Sequence, residues 1–159
     1  MKNTYIKLAI IVSVIVLTAF GCNQAPYTTK LKVKDVSLRV EVVNTPENIT
    51  LGLSGREKFK PSQGMLFDFT PQFSTETAKA AGITPNFWMK EMKFDLDIIW
   101  IKDKKIVGIT KNVPKPEPGQ RNQDLPLYPA PQPIDMVLEV LAGWSDENKV
   151  EIGDEITLK

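Results

Sequence analysis

The residues of this sequence that could carry chemistry are carboxylates, amino groups and hydroxyls, because the chain contains no histidine and a single cysteine. The lack of histidine excludes Ser-His-Asp triads, histidine metal sites and imidazole proton transfer. A single cysteine excludes internal disulfides, CxxC redox motifs and thiolate zinc cages. We therefore expect neither a metal nor a cofactor, and the composition argues against most enzyme chemistries.

Asp97 is the acidic residue with the most informative position. The alternation along 94–101 places it on the same strand face as Ile99 and Ile101. A carboxylate among apolar neighbours needs a cation or several hydrogen-bond donors, since an unpaired buried charge costs several kcal/mol. Arg56 and Lys90 are the candidate cations.

Two interpretations of these residues stay open. In the first, a cluster in a cleft binds a polar ligand, and its members are Arg56, Trp88, Lys90, Asp97, Tyr128 and Glu139. In the second, Asp97 and Arg56 form an internal structural pair and Trp88 belongs to the core. We favour the second interpretation, because buried ion pairs do not by themselves mark a site.

Hydrolysis by paired carboxylates is an alternative chemistry. Two acids roughly 5 to 10 Å apart, one with a raised pKa, could hydrolyse a glycosidic bond. Asp95 with Asp97, or Asp97 with Glu139, are the pairs on predicted strands. No sequence motif supports this, and Ser54 lacks the glycine spacing of a nucleophile elbow because Gly55 follows it directly.

Residues 1–21 have the features of a signal peptide. Lys2 and Lys7 precede an apolar run from Leu8 to Phe20 that contains no acidic residue. As a helix this run would be roughly 20 Å long, whereas the hydrocarbon core of a bilayer is about 30 Å thick. The run is therefore short for a membrane span and favours a cleaved leader.

The only cysteine, Cys22, follows the small residues Ala19 and Gly21 in an arrangement that resembles the lipobox of bacterial lipoproteins. We predict that Cys22 is the lipidated N-terminus and anchors the protein outside the cytoplasm, on the cell membrane or the outer membrane. A secreted domain cleaved after Gly21 and an uncleaved short anchor stay open as alternatives. Because Lys2 and Lys7 leave with the leader, the formal charge changes from +1 to −1, which predicts no nucleic acid partner.

The remaining chain is predicted as a tether at 22–29 and a single β-rich domain at 30–159. Seven of the twelve prolines lie between 113 and 133, and their density predicts a long loop, because proline removes backbone donors from helices and inner strands. A loop of this length in a compact domain is usually either functional or disordered. Its stretch from Pro114 to Pro118 could be an extended recognition strip or a rigid spacer.

Alternating apolar and polar residues predict short strands separated by Gly, Pro and charged turns. A hairpin is expected to turn at Lys34-Asp35, and Thr45-Pro46 is typical of a helix start. The fold class is mainly β: a jelly-roll-like sandwich or irregular barrel of seven to nine short strands with two or three short helices. Beyond the hairpin, strands are expected at 65–69, 87–92, 94–101, 106–110, 137–140 and 155–158, and short helical segments after 45, at 74–81 and at 143–148.

Seven blocks of the sequence carry a recognisable pattern in this order: Gly52-Leu53-Ser54-Gly55-Arg56, Gly64-Met65-Leu66-Phe67, Phe87-Trp88-Met89-Lys90, Leu96-Asp97-Ile98, Tyr128-Pro129, Val137-Leu138-Glu139-Val140 and Gly153-Asp154. Together they resemble one known family, the bacterial and archaeal domain of unknown function 192 (DUF192). The resemblance spans about residues 36–158 and implies a mainly β, jelly-roll-like fold and frequent signal peptides, but no activity. Residues 70–85 are interpreted as an insertion, and the proline loop at 114–126 is longer than is usual in the family.

The expected function is that of a lipid-anchored binding or interaction module of the cell envelope. Its contacts are predicted to come from the proline loop and from the edge that carries Trp88, Lys90 and Tyr128. The expected partners are the membrane, reached through the lipid, and either an envelope protein or a small polar ligand. The alternatives are a carboxylate-dependent hydrolase of an envelope polymer and a purely structural envelope protein.

Overall fold

A computed structural model describes residues 27–159 of the chain. The predicted signal peptide and the lipidation site Cys22 lie outside the described residues. Within residues 27–159, no helix is both long and apolar enough to cross a bilayer.

The described residues form nine strands and three short α-helices. Two single-turn 3-10 helices, Thr70–Gln72 and Asn122–Asp124, lie in the connections. The helices are α1 (Pro46–Leu51), α2 (Glu76–Ala81) and α3 (Trp144–Glu147). The strands are β1 (Tyr27–Val33), β2 (Val36–Val43), β3 (Gln63–Asp68), β4 (Asn86–Phe87), β5 (Leu96–Lys102), β6 (Lys105–Val113), β7 (Tyr128–Pro129), β8 (Met136–Leu141) and β9 (Ile156–Leu158).

Seven strands form one curled sheet in the order β6-β5-β8-β3-β2-β1-β9. All neighbours are antiparallel except β2 and β3, which are parallel and are connected through α1. The two edges of the sheet approach each other where Ile106 donates a hydrogen bond to Asp154 (2.9 Å) and Ile156 donates one to Lys104 (2.8 Å). The sheet is therefore a half-barrel, which confirms the prediction of a mainly β fold.

The two faces of the sheet carry two separate hydrophobic cores. The inner core lies inside the curl and contains Leu31, Val40, Leu138 and Trp144 among others. The outer core lies on the opposite face, where loops, α1 and the small β4–β7 ladder cover it. Burial on both faces explains why β5 and β8 are almost uninterrupted apolar runs.

The hairpin at Lys34-Asp35 and the short helices are confirmed. Thr45 begins α1 by accepting a hydrogen bond from the backbone of Asn48 (3.3 Å), and Thr75 does the same for α2 with Ala78 (3.1 Å). The first strand begins at Tyr27, so residues 27–29 belong to the sheet and not to the tether.

The prediction of a central strand over 87–92 is wrong. Only Asn86 and Phe87 pair, with β7, and the chain then turns, with Glu91 at a positive φ of 58°. The apolar pattern has another cause: Met89 and Met92 are buried and anchor this loop onto the outer core. Apolar density alone does not distinguish a buried strand from a loop with two buried side chains.

The proline-rich segment 113–133 packs against the sheet at its C-terminal end. A Cβ added at Gly108 on β6 would lie 2.6 Å from Cγ of Pro131 and 3.1 Å from Cδ1 of Trp100.

Gly108→Ala is therefore expected to lower the free energy of unfolding by about 1–3 kcal/mol, because a rigid proline ring has little room to move. Urea unfolding measures this effect, with exposed Gln132→Ala as the control. Equal urea midpoints for Gly108→Ala and Gln132→Ala would contradict the close packing of Pro131 against Gly108.

Candidate functional site

Asp97 is held by backbone amides and not by a cation. Its side chain is fully buried on the inner face of β5, and its oxygens accept hydrogen bonds from Asn112 (2.9 Å), Gly143 (3.2 Å) and Ser145 (2.9 Å). These three donors satisfy the carboxylate and join the end of β6 to the start of α3. The prediction that Asp97 needs either a cation or several donors is confirmed, because several backbone donors hold its carboxylate.

Arg56 pairs with Glu41 instead of Asp97. Its Nη2 lies 2.6 Å from Oε1 of Glu41, and the two side chains are 37% and 27% exposed. The predicted Arg56–Asp97 pair is therefore wrong. Sequence reasoning missed Glu41, although the alternation of β2 places it on the solvent-facing side opposite Val40 and Val42.

The Arg56–Glu41 pair predicts a small effect on stability. Arg56→Met is expected to lower the free energy of unfolding by less than about 1 kcal/mol, because solvent screens a pair that is this exposed. Urea unfolding at low and high salt measures the effect, with Lys58→Met as the matched control, since Lys58 has no ion pair among residues 27–159. A loss of several kcal/mol would mean that Arg56 has a buried structural role.

The loop 52–56 and the loop 88–92 are joined by hydrogen bonds. Ser54 donates its hydroxyl to the carbonyl of Lys90 (2.9 Å), and the backbone of Gly55 donates to Glu91 (3.1 Å). The serine hydroxyl is therefore committed to the backbone. The two motifs that carry most of the family resemblance lie side by side on the outer face as a result.

Trp88 lies at the surface of this region and not in the core. Its side chain is 44% exposed, and Nζ of Lys90 lies 5.7 Å from the centre of its ring. That distance is within the range of a cation–π contact. The interpretation of Trp88 as a core residue is wrong, and the ring is available to a ligand.

Glu139 is the one predicted site residue that is buried without a partner in the described chain. It lies on β8 opposite Met65 of β3 and Ile98 of β5, on the outer face. It is only 5% exposed, and no other residue in 27–159 makes a hydrogen bond or ion pair with its carboxyl group. Burial raises the pKa of Glu139 to about 8.

A cleft opens from Glu139 to the surface beside Trp88. Its inner part is a cavity of about 40 Å³ lined by Glu139 together with residues of α1 and the two loops. An adjoining cavity of about 240 Å³ shares Ile49, Thr50, Phe87 and Trp88 with it. We call the two cavities together the Glu139 cleft. Sequence reasoning missed the contribution of α1, because nothing in its six residues indicates which surface they cover.

Tyr128 does not line the Glu139 cleft but neighbours Phe87, which does. It pairs with Phe87 in the β4–β7 ladder and packs against the outer core, and burial raises the pKa of its hydroxyl. The neighbouring Leu127 is 59% exposed. In the antiparallel register, Leu127 and Trp88 each lie one residue beyond the Phe87–Tyr128 pair.

The structure separates the predicted cluster into two parts. Glu139 with Trp88, Lys90 and Tyr128 lies on the outer face, whereas Asp97 faces the inner core. Asp97 and Glu139 are therefore on opposite sides of the sheet and cannot act as a carboxylate pair. No group of three or more Cys, Asp or Glu residues between 27 and 159 is arranged to hold a metal ion.

These features define a mainly β half-barrel domain with one cleft around a buried glutamic acid. Residues 28–158 match the model of the family DUF192, described as Uncharacterized ACR. The chain belongs to this family, which confirms the resemblance found in its motifs.

Two solved structures are similar to this chain. One is a candidate transcription regulator from Sinorhizobium meliloti 1021, with 26% identity and a TM-score of 0.68 over 84% of this chain and 95% of that one. The other is a protein of unknown function from Novosphingobium aromaticivorans DSM 12444, with 23% identity and a TM-score of 0.67 over 82% and 84% of the two chains. The second likeness shows the fold alone. No curated protein matches the sequence.

Proposed function

We propose that this protein is a lipid-anchored, extracytoplasmic binding module whose Glu139 cleft takes a polar group of a small ligand. The observation that carries the proposal is the carboxyl group of Glu139. Glu139 is only 5% exposed, its carboxyl group has no partner within the described residues but keeps a small contact with solvent, and it lines a cleft that also contains the exposed Trp88. A buried polar group without a partner costs free energy unless a ligand or water satisfies it.

The dimensions of the cleft indicate the kind of ligand. The inner cavity of about 40 Å³ has room for a hydroxyl or amino group or for an ordered water. The outer cavity of about 240 Å³ has room for one small ring or short chain. At neutral pH the protonated Glu139 can donate a hydrogen bond to a hydroxyl, and in its ionised form it can bind an ammonium group. The exposed ring of Trp88 offers a surface for stacking.

The proposed location rests on the leader. The positively charged start, the short apolar run and the small residues before Cys22 favour export and lipidation at that cysteine. The site does not support the hydrolase alternative for either predicted pair of acids. Asp97 and Glu139 lie on opposite faces of the sheet, and in the pair of Asp95 with Asp97 the buried Asp97 carboxylate is occupied by three backbone amides.

Isothermal calorimetry with glucosamine, glucose and ethanolamine tests the cleft. These probes combine a ring with an amine, a ring without an amine, and an amine without a ring. We expect glucosamine to bind best, and Glu139→Gln and Trp88→Ala each to weaken it about tenfold, which corresponds to about 1.4 kcal/mol. Asp95→Asn, a change at an exposed residue that does not line the cleft, is the control. Absence of binding by all three probes, or binding of glucosamine by both cleft variants as tightly as by the wild type, would refute the ligand site.

Metabolic labelling with palmitate tests the anchor separately. The wild-type protein is expected to incorporate the label and to accumulate as a precursor in the presence of globomycin, whereas Cys22→Ser does neither. An intact polypeptide that is soluble in the cytoplasm and retains its first methionine would overturn the proposed location.

A further inference from the structure

A groove on the sheet of the described chain is basic. It has a volume of about 530 Å³ and lies along the β1–β2 hairpin and the start of β3. The cationic side chains that line it belong to Lys30, Lys32, Arg39, Lys60 and Lys159, and no Asp or Glu lines it. We call it the basic groove.

Strand pairing gathers these cations on one side of the sheet. Lys30 is opposite Arg39 in the β1–β2 register, and Arg39 is opposite Gln63 in the β2–β3 register. The residues between them, such as Leu31 and Leu38, point into the inner core. The period of two in both strands therefore directs the positive side chains to solvent together.

The charges in the groove are largely unpaired. Among residues 27–159, the side chains of Lys30, Arg39 and Lys60 have no carboxylate within 4.0 Å. Lys32 lies 3.6 Å from Asp35, whose side chain is fully exposed, so that pair contributes little. Ser37 and Ser62 add hydroxyl groups to the same surface. Unpaired cations with hydroxyls form a surface that suits phosphate oxygens.

We propose that the basic groove docks on the phosphate head groups of anionic lipids in the membrane that carries the anchor. The proposal rests on the proposed lipidation of Cys22. Four residues lie between Cys22 and Tyr27, where β1 begins, and the five Cα-to-Cα steps span at most roughly 18 Å when extended. Lys30 follows three residues later, so the tether holds the groove near the bilayer surface, where basic residues gain from the negative surface potential.

Lysine acetylation of the mature protein in vesicles tests the docking. The protein is reconstituted into phosphatidylcholine alone or into an equal mixture of phosphatidylcholine and phosphatidylglycerol, and labelling is read by mass spectrometry. Docking predicts that Lys30, Lys32 and Lys60 are acetylated roughly fivefold more slowly in the anionic vesicles, and that high salt removes the protection. Lys115 in the proline-rich segment is the internal control.

A pair of charge-matched variants sharpens the test. In a variant with Lys30→Gln, Arg39→Gln and Lys60→Gln, the remaining Lys32 is expected to lose its protection. A control variant with Lys93→Gln, Lys104→Gln and Lys105→Gln removes the same charge elsewhere, retains Lys115 as the reference, and is expected to keep the protection of Lys32. All six side chains are exposed, so the fold is expected to tolerate both changes.

The outcomes separate the docking from its alternatives. Equal acetylation of the groove lysines in both kinds of vesicle would overturn it. Full protection by soluble glycerol phosphate would assign the groove to free phosphate compounds, and protection by a DNA duplex but not by anionic vesicles would assign it to nucleic acid. If the protein dissociates completely from phosphatidylcholine vesicles, the proposed lipid anchor is refuted. Protection of the groove lysines by vesicles that contain phosphatidylglycerol, and not by phosphatidylcholine alone, would still support docking of the basic groove on anionic lipids.

Discussion

Glu139→Gln is expected to make the protein more stable at alkaline pH and to leave its stability almost unchanged at acidic pH. Burial raises the pKa of this carboxyl group from 4.5 to about 8 in the folded protein. Between these two values the folded state keeps a proton that the unfolded state has released. The stability of the wild-type protein therefore falls as pH rises through this window, by up to about 5 kcal/mol in total.

Glutamine has nearly the same shape and does not ionise, so the variant lacks this pH dependence. Urea unfolding at a series of pH values measures the difference, which is expected to be below about 1 kcal/mol near pH 5 and to reach several kcal/mol near pH 9. Glu117→Gln, an exposed glutamate in the proline-rich segment, is the matched control and is expected to follow the wild type. Parallel curves for wild type and Glu139→Gln would show that the carboxyl group is already ionised and solvated at neutral pH.

Asp97→Asn is expected to lower the free energy of unfolding by about 3 kcal/mol, or the melting temperature by roughly 10 °C. The three backbone amides of Asn112, Gly143 and Ser145 all point at this carboxylate. Asparagine would place an NH₂ group against at least one of these donors. One backbone N–H would then be left buried without an acceptor, and the remaining bonds would lose their charge assistance.

Asp95→Asn provides the comparison for this loss. Asp95 is exposed and accepts one hydrogen bond, from the backbone of Lys115 (2.9 Å), so its replacement is expected to cost less than about 1 kcal/mol. Thermal and urea unfolding of both variants measure the difference. If Asp97→Asn were as stable as Asp95→Asn, the network of amides around Asp97 would not be a structural anchor.

The order and spacing of most strands could be predicted from the sequence, because side-chain period and turn residues act over a few positions. The hairpin at Lys34-Asp35 and the threonine caps of α1 and α2 follow from such local rules. The strand predicted over 87–92 failed, because the buried Met89 and Met92 produce the same apolar pattern from a loop. The local sequence pattern predicts which side chains are buried. It does not predict the backbone conformation between them, because a strand and a loop can bury the same side chains.

Asp97 shows, for a single residue, which features could be predicted from the sequence and which could not. Its alternation with Ile99 and Ile101 predicted a buried carboxylate that requires several donors or a cation. In the structure the carboxylate is satisfied by donors and not by a cation. These donors are backbone amides of residues 15, 46 and 48 positions away along the chain. Its residue type suggested Arg56 as the cation that pairs with Asp97. In the structure, however, Arg56 lies on the other side of the sheet, beside Glu41.

The sequence by itself determined a β-rich domain without imidazole, with a leader-like start and with acidic residues on buried strand faces. Only the tertiary structure decided which of those acids lacks a partner. Asp97 and Glu139 are both buried acids on neighbouring strands. Asp97 accepts hydrogen bonds from three backbone amides, whereas Glu139 lines a small cavity together with Trp88. The physical reason is that hydrogen-bond partners and desolvation depend on which distant loops cover each face, and no local pattern along the chain records that.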